Sequence, residues 1–396
     1  MKQKLNVKSD GSFRILQITD LHLVSGKSTI NQKDRETMHW LSDAIELSKP
    51  DLIEFTGDLA GGGVEGRNNA VREVADLLED KKIYWTYVFG NHDGEHSVDE
   101  NGKDIWLGRD GKRTDMLKAC MAVKQTFREE TGSIYYGDNA RGNEEIYDII
   151  KNYSFCLTRR DSLEKDNAAL MGVGNFVIDL VNNEGKTVFA LVHMDSHGKF
   201  YVEPADNDNG NDGCRDMGYT GLTDMQIEWY RNIIKPYAEK KIKSALFMHV
   251  PNYGFRELTE KLTSINEFGV PQFEELKDVK NRVDTFKNTS FLKDEGIYSP
   301  RWDEGLERAM DEYRSTNLIA VGHDHNNCFY LRKNISEKDK NDILLCYGRC
   351  SGVNAWGRWA KIGATIYDVN TNGKTIDDIY EISEIYPDFE YSVWDA

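Results

Sequence analysis

No apolar run in the 396-residue chain approaches the roughly 20 residues a helix needs to cross a bilayer, so no membrane span is expected. The opening residues, MKQKLNVKSDGSF, carry charge without an apolar core and do not read as a secretory signal. Cysteine is sparse: Cys120, Cys156, Cys214, Cys328, Cys346 and Cys350 are dispersed, and none forms a CxxC pair. A chain this long builds a core without a disulfide framework, so reduced cysteines in a cytoplasmic protein are expected. Positive charge is in deficit, with 50 Lys+Arg against 67 Asp+Glu and a formal charge of -17. That balance opposes broad binding to nucleic acid or to anionic membrane, because both are polyanions. There is no internal repeat and no low-complexity linker.

What is present is a regular alternation. FRILQIT (Phe13 to Thr19), DLIEFT (Asp51 to Thr56) and IYWTYVF (Ile83 to Phe89) are apolar runs of strand length. Between them, Met38, Leu41 and Ile45, then Val71, Val74, Leu77 and Leu78, recur at helical spacing. Strand, helix, strand, helix, strand predicts a parallel sheet with crossover helices. A helix is expected near Thr114 to Glu129 and another over Thr223 to Tyr237, with Thr223 as its N-cap. Further strands are expected at Tyr153–Thr158, Gly174–Val181, Thr187–Met194, Lys243–His249, Ile343–Tyr347, Gly363–Asp368 and Asp377–Ile382. Polar or Gly-rich stretches near 95–112, 199–221 and 254–300 read as inserted loops. One domain spanning 10–390 fits this pattern.

The chain has only nine histidines, yet AVGHDHNNCF (Ala320 to Phe329) places two of them two residues apart after an apolar strand. The other strands end in kind. The first gives TDLHL with Asp20 and His22, the second TGDLAGGG with Asp58, the third FGNHDGE with Asn91, His92 and Asp93, and LFMHV gives His249. In open α/β sheets, sites form beyond the carboxyl ends of the strands. In extended backbone, residues i and i+2 point the same way, which predicts that His323 and His325 face one site with Asp324 turned aside. Asp20, His22, Asp58, Asn91, His249, His323 and His325 supply two carboxylates, an amide oxygen and four histidines. That is too many for one ion with open positions and suits two divalent ions sharing a carboxylate. The mixed N/O set suits Mn²⁺, Fe or Zn²⁺.

Asp20-x-His22, Gly57-Asp58, Gly90-Asn91-His92-Asp93, His249 and Gly322-His323-x-His325 together resemble the signature of the calcineurin-like metallophosphoesterase superfamily. The resemblance implies an α/β fold, a four-layer α/β/β/α sandwich with two central mixed β-sheets. It implies one ion held by Asp20, His22, Asp58 and His325, and a second held by Asp58, Asn91, His249 and His323. His92 then contacts the scissile phosphate and protonates the leaving oxygen, and Asp93 orients His92. VFGNHD, FMHVPNYGF and CYGRCSG are most similar to a subgroup related to purple acid phosphatases. The tyrosine that gives purple enzymes their colour is replaced by Gly61, and the DxH histidine is present instead. The implied reaction is hydrolysis of a small-molecule or phosphoprotein phosphate ester, a monoester in the favoured reading. QITDLHL is also similar to cyclic-nucleotide phosphodiesterases of the family, which keeps a small diester as the alternative. A catalytically silent metal-binding module would have lost a ligand or His92, and neither is lost. His193 and Asp195 are expected to be structural or to lie outside the ligand set, and Arg349 and Arg358 can either clamp a phosphate or brace backbone.

Overall fold

The computed structural model describes residues 3–25, 31–106, 124–126, 133–136, 139–202, 215–265, 271–273, 292–293, 295–355, 362–372 and 375–383. Thirteen strands form the two main sheets: β1 (Gln3–Asn6), β2 (Ser12–Ile18), β3 (Leu52–Thr56), β4 (Trp85–Val88), β5 (Phe176–Val181), β6 (Thr187–His193), β7 (Lys243–Phe247), β8 (Leu292–Lys293), β9 (Thr316–Val321), β10 (Asn327–Asn334), β11 (Asp342–Tyr347), β12 (Gly363–Asn370) and β13 (Thr375–Ser383). One sheet runs β13-β12-β2-β3-β4 and the other β1-β5-β6-β7-β9-β11-β10-β8. Both are mixed. β2, β3 and β4 are parallel neighbours, as are β6, β7, β9 and β11, while β12 and β10 pair antiparallel with β2 and β11.

Side-chain alternation along each strand sorts residues into three cores. Phe13, Ile15 and Leu52 meet Leu191, Phe247, Leu318 and Ala320 between the two sheets. Their neighbours Leu16, Ile18, Ile53 and Phe55 point the other way, against helices α1 (Gln32–Ser48) and α2 (Val64–Lys81), which α3 (Asn139–Ile150) and α4 (Glu164–Met171) follow in the chain. Ile319 and Val321 likewise turn outward onto helix α5 (Asp224–Glu239) and the short helix α7 (Leu306–Tyr313). The layers are therefore helix, sheet, sheet, helix, as expected. Trp40, Trp85, Tyr230 and Tyr347 are fully buried in these cores.

Helix ends are chemically specified. Asn31 caps α1, and Thr223 with Gln226 forms a capping box at the start of α5. Gly63 offers α2 no capping side chain, and Asp104 reaches over from another segment to accept from Val64 N at 2.9 Å.

Some expectations need correction. Tyr153–Thr158 lies along β4, with Trp85 N bonded to Phe155 O and Leu157 N to Trp85 O, but it forms only a single bridge. The Thr158 hydroxyl takes the bond from Tyr87 N that a strand would take with its backbone. The stretches expected to be loops contain the hairpin His96–Val98/Asp104–Trp106, the strands Lys199–Val202 and Arg215–Tyr219, and helix α6 (Tyr253–Leu262). The helix expected near Thr114 to Glu129 falls largely outside the described residues, and 124–126 within it is strand. Among the described residues, no helix is long and apolar enough to cross a membrane.

Candidate metal centre

The carboxyl ends of β2, β3, β4, β7 and β9 open onto one crevice that spans both sheets. The backbone there is unusual. Asp20, His22, Asp58 and His323 all have positive φ, at 57°, 47°, 52° and 87°. Left-handed backbone in residues other than glycine costs of order 1–3 kcal/mol each and persists only where surroundings over-determine it. Those surroundings are visible. Asp20 N bonds Gly57 O at 3.0 Å, His22 N bonds Asp58 O at 2.9 Å, and His323 N donates to Asp20 Oδ2 at 3.0 Å. Two glycines permit the close approach. A Cβ at Gly57, itself at φ 94°, would collide with the His249 ring, and one at Gly90 would collide with Asp58.

Two groups of potential ligand atoms result, each within 4.8 Å of one another: Asp20, His22 and His325, and Asp58, His249 and His323. Asp58 faces both. Its Oδ2 lies 3.1 Å from His249 Nε2 and 3.8 Å from His22 Nε2, while Oδ1 accepts from His92 N at 2.8 Å. In the first group, His22 Nε2 and His325 Nε2 are 3.0 Å apart, and His325 Nε2 is 3.5 Å from Asp20 Oδ1. In the second, Asn91 Oδ1 sits 3.2 Å from His249 Nε2.

These donors fit divalent cations. Asp20 Oδ1, Asp58 Oδ2 and both ring nitrogens of His323 are buried without a hydrogen-bond partner. Buried polar atoms are normally paired, so this concentration of orphans at one place points to a ligand. His249 donates Nδ1–H to Thr56 O at 2.7 Å, the outer bond that orients a metal-ligating histidine, and turns Nε2 toward two oxygens. Burial, followed by repulsion from His325, takes His22 down to about 3. Burial also takes His323 well below its ordinary value, so both rings keep a lone pair to offer. Asp20 is held at about 2: burial opposes its charge, but contact with His325 and the charge of His249 outweigh it. Asp58 is likewise held well below its usual range, with His249 and His92 overcoming burial.

His92 stands beside this cluster, its ring 5.4 Å from that of His22. The carboxylate at its Nδ1 belongs to Glu95, at 2.9 Å, and not to Asp93 as expected. Asp93 is buried and faces backbone, accepting from Asp58 N at 2.9 Å, Gly90 N at 2.7 Å and Ala60 N at 3.3 Å. The turn closed by Glu95 N on His92 O carries the acid at i+3 to the imidazole and leaves the acid at i+1 beneath the loop. Burial opposes a charge on His92, but Asp58 and Glu95 favour it and push it up to about 9.

His323 and His325 both reach the crevice but belong to different ligand groups. The two rings part because His323 is left-handed, at φ 87°, and not extended. Asp324 does turn aside, accepting from the Tyr347 hydroxyl and from Tyr298 N. His193 is fully buried, bonded to Glu54 at 2.9 Å and stacked on Phe176, and Asp195 accepts from Val173 N and His197 N. Both are structural. Arg349 is largely buried, with its backbone N bonded to Thr365, and Arg358 lies outside the described residues. Glu95 is the residue that sequence reasoning misses; its signal is the i+3 spacing in GNHDGE.

The calcineurin-like phosphoesterase family model matches residues 13–327, and the chain belongs to that family. It is 33% identical over 397 residues to the Arabidopsis thaliana protein described as probable inactive purple acid phosphatase 29, covering 94% of this chain and 81% of that one. It is 23% identical over 403 residues to Phosphatase DCR2 of Saccharomyces cerevisiae, covering 94% of this chain but only 54% of that longer protein. Among solved structures, it is similar to a dimetal phosphatase from Danio rerio at 9% identity, covering 94% of this chain and 98% of that one, with a TM-score of 0.42. Family and site together define a calcineurin-like phosphoesterase family member related to purple acid phosphatases, with donors for two divalent ions.

Proposed function

We propose that the chain hydrolyses phosphate monoesters at a centre whose residues would hold two divalent ions, with the Asp58 carboxylate available to both. The observation that carries this reading is the Asp58 carboxylate, whose Oδ2 faces His22 on one side and His249 on the other. Asp20, His22 and His325 would complete one position, and Asn91, His249 and His323 the other. Bound there, two divalent ions would lower the pKa of water and polarise the phosphoryl oxygens, with Mn²⁺, Fe or Zn²⁺ all suited to the donor set.

The chain's own residues do the rest. Asp20 and Asp58 remain ionised in the buried crevice, and His22 and His323 remain neutral. Glu95 holds His92 Nδ1, which leaves Nε2 to stabilise charge on the phosphoryl group or to protonate the leaving oxygen. Asp93 fixes the two loops that carry Asp58 and Asn91 by bonding their backbones. The name of the yeast relative, a phosphatase, supports the monoester reading. The plant relative is named probable inactive; in this chain the seven candidate donors and His92 are all present.

The test is a rate comparison on chelated protein reconstituted separately with Mn²⁺, Zn²⁺ and Fe²⁺. A nitrophenyl monoester should turn over at least tenfold faster than the bis-nitrophenyl diester. Faster turnover of the diester would reverse the assignment of substrate class.

A further inference from the structure

The carboxylate that meets His92 sits on a backbone gripped from both sides. The pair itself is partly open to solvent, with the Glu95 and His92 side chains 23% and 42% exposed. Exposed ion pairs contribute little and cost side-chain freedom, so such a pair does not fix its own geometry. The turn between the two residues is closed by one long bond, Glu95 N to His92 O at 3.3 Å. Firmer contacts act on the neighbours of Glu95. A Cβ on Gly142 of α3 would collide with Gly94 on one side of Glu95 and with His96 O on the other. His96 O accepts from the guanidinium of Arg67 on α2, a residue only 1% exposed. A charge buried that deeply has to be paired, and its second arm donates to Glu145 Oε2 on α3 at 2.7 Å. Glu145 Oε1 in turn accepts from Ser97 Oγ at 2.5 Å and from Val98 N at 3.2 Å. One ion pair between α2 and α3 thus grips residues 96–98, directly after Glu95.

We propose that Arg67, Glu145 and Gly142 are positioning residues for the reaction. By fixing the backbone on both sides of Glu95, they keep its carboxylate on His92 Nδ1 and so keep the ring aimed at the leaving oxygen. Arg67 and Glu145 act through hydrogen bonds, and Gly142 through the close approach that its missing side chain permits. A displacement of about 1 Å that begins far from the chemistry can cost ~10²-fold in rate. Because all three act through Glu95, the loss on removing any of them is bounded by the loss in Glu95→Gln.

This inference rests on the phosphoesterase reading with His92 as its acid, and two readouts keep their failures apart. The first needs no turnover. In a long-range proton–nitrogen NMR spectrum of zinc-loaded, ¹⁵N-histidine-labelled protein, His92 is assigned by the signals lost in His92→Ala. Its Nδ1 signal should move in Glu95→Gln, and in the same direction in Gly142→Ala and Glu145→Gln. An amide keeps one acceptor oxygen where the carboxylate has two, so Glu145→Gln must release either Arg67 or the Ser97–Val98 segment. The second readout is kcat of manganese-loaded protein on phenyl phosphate and on 4-nitrophenyl phosphate, with metal content measured. Gly142→Ala and Glu145→Gln should each lower kcat on phenyl phosphate by about threefold to thirtyfold, with KM and metal content unchanged. With nitrophenolate as the leaving group, the loss should stay under about threefold. Added to Glu95→Gln, either substitution should cost less than about twofold more, because residues acting through one group are not additive. Equal losses on both esters, the full loss again in the Glu95→Gln background, or an unmoved Nδ1 signal overturns the inference. Should Gly142→Ala fail to fold, Glu145→Gln decides alone, because its side chain is 23% exposed and keeps its volume. If wild type hydrolyses neither ester, the phosphoesterase reading fails, and the NMR signals alone decide whether the three residues position His92.

Discussion

Two acids follow His92 closely in sequence, and their surroundings give them different work. Asp93 accepts from three backbone N–H groups under the loop, whereas Glu95 meets the imidazole. His92→Ala should therefore keep both metal positions but lower kcat with a poor leaving group by ~10²–10⁴-fold, the usual contribution of a general acid. The loss should shrink with nitrophenolate, which needs less protonation. Glu95→Gln should give a smaller loss of the same leaving-group dependence, because it acts only through His92. Asp93→Ala should instead destabilise the fold by about 1–3 kcal/mol for each buried N–H left unsatisfied, and should release metal. Kinetics on a leaving-group series, paired with metal analysis, checks all three. An unchanged rate for His92→Ala with the poor leaving group would remove it from the mechanism.

At the scale of elements, the site is a property of strand ends. Each candidate ligand follows an apolar strand closely in sequence, which is why Asp20, His22, Asp58, Asn91, His249, His323 and His325 are legible from the order of residues alone. The periodicities of β2, β3, β4, β9, α1 and α2 are legible for the same reason: they alternate or recur between fixed cores. Local backbone is what the residue pattern does not carry. Strand parity assumes extended φ, and Asp20, His22, Asp58 and His323 leave it. β10 escapes the pattern because its first residues, Asn327 and Cys328, follow Asn326 in what reads as an asparagine turn. Gly57 is the element-scale test. Gly57→Ala adds left-handed strain of about 1–2 kcal/mol and a clash with the His249 ring, so it should lower thermal stability and weaken metal binding together. Gly185→Ala, at φ 73° with open space around its Cβ, should lower stability alone. Calorimetric metal titration of both variants separates strain from loss of the site.

For the whole molecule, buried acids outside the centre set the dependence of stability on pH. Glu304 is raised to about 8, first by burial and then by Glu307 and Asp303, against opposing backbone bonds. Its unfolded value is near 4.5, so its folded pKa is the higher of the two. The stability it contributes is full below about pH 4.5 and is lost as pH rises through 8. Glu304→Gln should accordingly raise the melting temperature relative to wild type at pH 9 and give no such gain at pH 5. A gain of equal size at both pH values would show that burial of this charge is not the cause. The central claim concerns two ions sharing Asp58, and metal stoichiometry tests it most directly. Elemental analysis of chelated protein reconstituted with Mn²⁺ and freed of excess metal should find two ions per chain, falling below one in Asp58→Ala. One ion or none in the wild-type chain, or two retained by Asp58→Ala, would contradict the dinuclear centre.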